Sequence, residues 1–276
     1  MRAAAFQRRH FAVLLAIVFA LATLIVFILA GSLEGAAGIE RYTAAKIAAL
    51  RAQAEQAKTI PENAPEGWSK SSADPGKLVG VFQPLRLREG FVLRAYQFRE
   101  DGNGNAFVWA LPATAAFPEP QDCPKVANQP FSAPRPPQAL DNFMEAIDGD
   151  RSAWSYMAAS LLRRELREFG AMWHGYNWMT HVVLDDNPLG IPVVGNDDIM
   201  QRPSGKPDQW KWLDAEPKAW APEVSVENDR VLVTFYTYSG LYKQTIYRHV
   251  DTYEPGKYLA TSEDKAIAEG PPGFAF

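Results

Sequence analysis

The sequence predicts an α+β fold with a mainly antiparallel sheet and one long packed helix, preceded by a single membrane-spanning helix and a helical stalk. Three observations predict it. Phe11 to Ala30 is an uninterrupted run of 20 residues without a charge. Two groups of short segments rich in Val, Phe, Tyr and Trp, within 77–112 and 223–261, read as strands. Between them, Arg151 to Trp173 carries a helical pattern. Strands, then helices, then strands favour an antiparallel sheet with helices packed on it over alternating βα units.

At 1.5 Å rise per residue the apolar run is about 30 Å long, the thickness of the hydrocarbon core. It is longer than the apolar stretch of a cleaved leader, and Ile28-Leu29-Ala30 is a poor cleavage site, so retention is expected. Arg2, Arg8 and Arg9 precede it and Glu34 is the first charge after it, which puts the N-terminus in the cytoplasm. The expected divisions are 1–10 in the cytoplasm, 11–30 in the lipid bilayer, 31–60 as stalk and 61–276 as an extracytoplasmic domain. Ala12, Ala16 and Ala20 form a small-residue stripe on which another membrane helix could pack closely. The chain has no Asn-x-Ser/Thr acceptor and no cysteine beside the apolar run, which fits a periplasmic domain on a bacterial inner membrane.

Of the 28 basic residues three precede the run, leaving 25 against 32 acidic ones beyond it. An acidic outer domain argues against nucleic acid as a partner. Cys123 is the only cysteine, so the chain has no internal disulfide.

Taken in order, Ile39 to Lys58 lacks Gly and Pro and places Ile39, Thr43, Ile47, Leu50, Ala54 and Ala57 on one face, a helix that either extends from the membrane or lies on a protein surface. Lys77–Pro84, Gly90–Glu100 and Asn105–Pro112 read as strands. Asp101-Gly102-Asn103-Gly104-Asn105 resembles the start of a calcium loop, but Ala106 and Pro112 stand where such a loop needs Gly and Glu, so a hairpin turn is expected. Eight prolines from Pro112 to Pro137 make a loop or contact arm. A short helix is expected near Ala139, and then the long one, capped by Asp150. On the long helix Trp154, Ala158, Leu161, Leu162, Leu166, Phe169 and Trp173 make the apolar stripe, with Arg163, Arg164, Arg167 and Glu168 opposite it. Val182 to Pro222 reads as loop. Glu223–Val226, Arg230–Tyr238, Leu241–Val250 and Lys257–Thr261 read as strands; the second is apolar on both faces and is expected at the sheet's centre, with Ser239-Gly240 as a tight turn.

Chemistry is sparse. His174, His181, Asp185 and Asp186 form the one cluster suited to metal binding or acid–base work. As a continuous helix it would hold the histidines about 10 Å apart, too far to share a metal. Asp185 and Asp186 with Asp197 and Asp198 could meet around a cation if their loop folded so. Trp210, Trp212 and Trp220, with Tyr236, Tyr238 and Tyr242, suit either a sugar-stacking platform or a protein contact. No phosphate-binding loop, dinucleotide fingerprint, zinc-protease helix, haem-attachment motif or nucleophile elbow is present, and no cofactor is expected. These features together predict a non-enzymatic accessory or scaffolding subunit that contacts other membrane or envelope subunits. The alternatives are a tethered periplasmic enzyme built on the His/Asp cluster and an envelope sugar- or peptidoglycan-binding module.

Overall fold

A computed structural model describes residues 38–58, 65–126, 132–190 and 199–275. The 11–30 run with Ala12, Ala16 and Ala20, and the pair Asp197 and Asp198, lie outside these residues. Among the described residues no helix is long and apolar enough to cross a membrane.

The chain forms an α+β fold in which every pairing between the named strands is antiparallel. The larger sheet contains β1 (Gly38–Arg41), β7 (His181–Leu184), β8 (Lys211–Trp212), β9 (Glu223–Val226), β10 (Val231–Ser239), β11 (Lys243–Tyr253) and β12 (Ala260–Pro272). Its order is β1-β9-β10-β11-β12-β8, with β7 continuing beside β10 past the end of β9. A second sheet runs β2 (Gly67–Lys70), β4 (Phe91–Glu100), β5 (Asn103–Pro112), and β3 (Arg86–Leu87) pairs with β6 (Ile147–Asp148). Three α-helices pack among them: α1 (Ala44–Ala57), α2 (Pro75–Val81) and α3 (Ala153–Arg167).

The alternation along β10 explains its central place. Val231, Val233 and Phe235 face the main core beneath α3, while Tyr238 enters a second apolar cluster with Ile246, Ile267, Trp210 and Trp220. β4 and β5 join through Asp101 and Gly102, both at positive φ, the signature of a two-residue hairpin turn. The Pro-rich segment lies over the outer face of this hairpin. Phe117, Cys123 and Ala139 pack on Tyr96, Trp109 and Leu111, and the Tyr96 hydroxyl donates to the Pro118 carbonyl at 2.8 Å. The short helix expected near Ala139 is a single 3₁₀ turn, Phe143–Ala146, with Asn142 closing a capping box on Glu145.

Five expectations need correction. Residues 77–84 are not a strand: Asp74 accepts from the Gly76 N–H and Pro75 occupies the first turn, so the segment starts helix α2. Asp150 is not the cap of α3. Ser152 is, and Asp150 accepts from Ser152 N–H and hydroxyl, holding the cap in place. The face of α3 bearing Arg163, Arg164 and Glu168 does not meet solvent; those three are buried and only Arg167 is exposed. Trp173, expected in the apolar stripe, is 50% exposed because the helix stops at Arg167 and Gly170, at positive φ, turns the chain away. The turn after Ser239 is also wider than the tight one predicted, since Ser239 pairs with Thr245.

The described part of the expected stalk, 38–58, is built into the domain. β1 adds to β9, Thr43 caps α1 at the Lys46 N–H, and Asp185 accepts from the Ala44 N–H at 2.8 Å. Ile47 and Ala54 are fully buried in the main core. Ile47→Ala is expected to lower unfolding stability by about 2–5 kcal/mol, the cost of truncating a buried branched side chain. Urea denaturation of the full chain measures it, and an unchanged midpoint would mean that α1 is not part of the cooperative core.

Candidate functional site

The polar side chains of α3 are buried between two other layers. On one side, Glu165 accepts from Arg51 Nε at 2.8 Å and from the Trp178 indole N–H at 2.7 Å, and forms an ion pair with Lys58. Arg51 also donates to the carbonyls of Trp178, at 2.8 Å, and of His181, and its guanidinium lies 4.3 Å from the Trp178 ring centroid. Burial would raise the Glu165 carboxyl, but the charges of Arg51 and Lys58 win and hold it below its ordinary range. One turn on, the Glu168 carboxylate accepts from the backbone N–H groups of Asn177, Trp178 and Met179. Burial is the larger effect there and leaves Glu168 raised.

On the other side, Arg164 grips Asp251 with both terminal nitrogens, at 2.6 and 3.2 Å, and Asp264 at 2.6 Å. Burial disfavours the guanidinium, yet the two carboxylates keep it charged. From Asp264 a chain of hydrogen bonds runs inward: Asp264 to His249 Nδ1 at 2.6 Å, His249 Nε2 to the Thr237 hydroxyl at 2.7 Å, and that hydroxyl to His181 Nδ1 at 2.7 Å. Burial holds His249 neutral, and with that ring neutral the donors and acceptors fall into one arrangement. His249 donates its Nδ1–H to the carboxylate, so its Nε2 must accept; Thr237 spends its one proton there and accepts from His181 Nδ1–H. Burial favours the neutral form of His181 as well. Burial, the neighbouring His249 and Arg51 pull the His181 pKa from 6.5 to about 3. Burial likewise lowers His249, against the pull of Asp264.

His181 therefore sits at the inner end of a carboxylate–imidazole–hydroxyl–imidazole relay, beside a cavity of about 490 Å³ under α1. The arrangement can orient protons, and its Thr237 hydroxyl is fully buried between the rings. The residues singled out from sequence are dispersed. His174 lies in the 3₁₀ turn Trp173–Gly175, exposed, its ring stacked on Trp173 and its N–H bonded to Asn103. Asp185 is spent on the N-terminus of α1, and Asp186 is exposed beside it. Among the described residues no group of three or more His, Cys, Asp or Glu side chains could hold a metal ion. Trp210 and Trp220 are buried, Trp212 is half-buried against them, and Tyr242 alone of that aromatic set is well exposed. Thr237, His249 and Asp264 had no local signal: they lie on three neighbouring strands, and only their i, i+2 placement on a sheet face brings them into line.

No protein-family model, no curated protein and no solved structure matches this chain.

Two predictions follow from the relay. Thr237→Val keeps the shape and removes the hydroxyl, leaving two buried ring nitrogens unpaired. It is expected to cost about 1–3 kcal/mol for each, read by urea denaturation. Acid acts through the same rings: as pH falls below 6.5 the unfolded chain takes a proton that the folded His181, at about 3, refuses. Stability is therefore full above 6.5 and declines as pH falls from there toward about 3, at about 1 kcal/mol per pH unit, with His249 adding in the same direction. The unfolding midpoint is expected to drop from pH 7.5 to pH 5.5 (roughly the range in which only histidines titrate); a flat or rising midpoint contradicts the neutral assignment.

Proposed function

We propose that this chain is a membrane-anchored, non-enzymatic accessory or scaffolding subunit of an inner-membrane or cell-envelope complex. In this reading 11–30 stays in the bilayer with the N-terminus inside, and the domain makes protein–protein contacts outside the cytoplasm. The observation that carries it is β1. All four of its residues are exposed, and its outer edge has no strand beside it among the described residues. Its charges are turned to the chain itself, Arg41 to Glu223 at 3.3 Å and Glu40 to the Tyr42 hydroxyl at 2.9 Å. Ile39 is left 55% exposed on an open edge, nine residues beyond Ala30. Open edges with apolar residues accept a further strand, and natural proteins otherwise guard them. The dispersal of His174, His181, Asp185 and Asp186 gives the enzymatic alternative no common centre to build on.

Extraction of native membranes in mild detergent, with mass spectrometry of all retained chains, tests the proposal. The wild type is expected to carry other subunits in fixed ratio, and Ile39→Lys to shed them without loss of thermal stability. A wild-type chain that emerges alone as a monomer overturns it.

A further inference from the structure

Beside β5 lies a cavity of about 400 Å³ whose polar groups are paired unevenly. Its side-chain acceptors are spent. Asn105 accepts from the Ala106 N–H at 2.9 Å and Asn142 from the Met144 N–H at 3.0 Å, so each has only its NH2 group left to offer. Asp141, exposed at the rim, accepts from Arg135 at 2.7 Å.

The donors, by contrast, are open. The indole N–H of Trp109 is buried and has no partner. In the β4–β5 hairpin the closing pair Glu100 and Asn103 fixes which residues bond across the ladder, so even-numbered residues of β5 turn their N–H and C=O groups away from β4. Ala106 N–H finds the Phe169 carbonyl at 3.0 Å, and Ala110 C=O finds the Leu140 N–H at 3.0 Å. Val108, buried between them, has no partner for either outward group among the described residues. Arg167 is exposed at the rim. Asp251 pairs with Arg163 and Arg164, and Asp264 with Arg164, which leaves Arg167 without an ion pair or hydrogen bond among the described residues.

Buried donors without acceptors are rare in folded proteins, and here two of them, two amide NH2 groups and a free guanidinium border one space. Val108 C=O is the one acceptor left over, and an under-satisfied carbonyl is more often tolerated than an orphaned N–H. The complement of such a wall is an anion. The apolar part of the wall says what carries the charge: Phe107 and Trp68 are half-buried rings, with Leu166 and Phe143 beside them. An inorganic ion would leave these surfaces to water, whereas a flat apolar body covers them.

We propose that this cleft binds a small carboxylate with a flat apolar body, an arylalkanoate in the simplest case. The carboxylate accepts from the open donors of Arg167, Trp109 and Val108, and the body lies on Phe107 and Trp68 against Leu166. This site does not depend on the scaffolding reading, because binding is measured on the isolated chain whether or not it has partner subunits.

The test is calorimetric titration of the full chain with four probes: hydrocinnamate, its neutral amide, acetate, and a short peptide ending in a phenylalanine carboxylate. Hydrocinnamate is expected to bind at least about tenfold more tightly than the amide, which keeps the shape without the charge, and than acetate, which keeps the charge without the body. The peptide is expected to bind more weakly too, since Phe169 and Leu140 close the strand edge on either side of Val108. Arg167→Gln changes an exposed side chain with no ion pair to lose, and is expected to weaken hydrocinnamate about tenfold or more and to remove its advantage over the amide. Trp109→Phe keeps an aromatic ring and removes the N–H, and is expected to weaken hydrocinnamate by about tenfold. Equal affinity for acid and amide, acetate binding as tightly as hydrocinnamate, no binding of hydrocinnamate, tighter binding of the peptide, or full binding by Arg167→Gln each overturns the proposal. If Trp109→Phe does not fold, the four probes on the wild type and the Arg167→Gln result decide the matter.

Discussion

Helix α3 carries two arginines and two glutamates into the buried interior, and the rest of the domain is arranged to neutralise them. Arg164 needs Asp251 and Asp264, which brings β11 and β12 to one side of the helix. Glu165 needs Arg51 and Lys58, which brings α1 to another. Glu168 needs the three N–H groups of 177–179, which fold the chain after Gly170 back over the helix end. Removing one partner of such a buried pair strands a charge and costs about 3–5 kcal/mol, more than most apolar contacts. These pairs do not make the domain more stable than a well-packed apolar core would; they restrict it to one arrangement of layers.

That restriction reaches the polar relay. Asp264 takes both Arg164 and His249, so the helix charge and the inner imidazole chain share one carboxylate. Arg51 takes both Glu165 and the His181 carbonyl, so α1 is tied to the far end of the same chain. The histidines are held neutral between two fixed charges. They act as hydrogen-bonded spacers between β7, β10 and β11, and their geometry is set from outside by α1, α3 and β12.

Much of the fold was legible in the sequence because it rests on local pattern. The two-sided apolar alternation of 231–238 marks a central strand, Asp101-Gly102 marks the hairpin, and Glu223–Val226 is bounded by turn residues on both sides. The errors arose where long-range charge overrides pattern. Arg163, Arg164 and Glu168 look like a solvent face until Asp251 and Asp264, some hundred residues on, are known to cover it. The segment 77–84 has strand-like composition, and only the Asp74-Pro75 pair ahead of it announces a helix. The candidate site was less legible still. Of the residues singled out, His181 alone is in the relay, and its partners come from strands that sequence spacing cannot align.

Helix α1 is locked to α3 through Glu165 and unfolds only with it. Native-state hydrogen exchange on the full chain tests this most directly. The slowest amides of α1 are expected to share the opening free energy of those in α3 and β10, because Glu165 cannot lose Arg51 and Lys58 while the helix stays folded. If the α1 amides exchange through a separate, lower-energy opening while α3 remains fully protected, the account is contradicted.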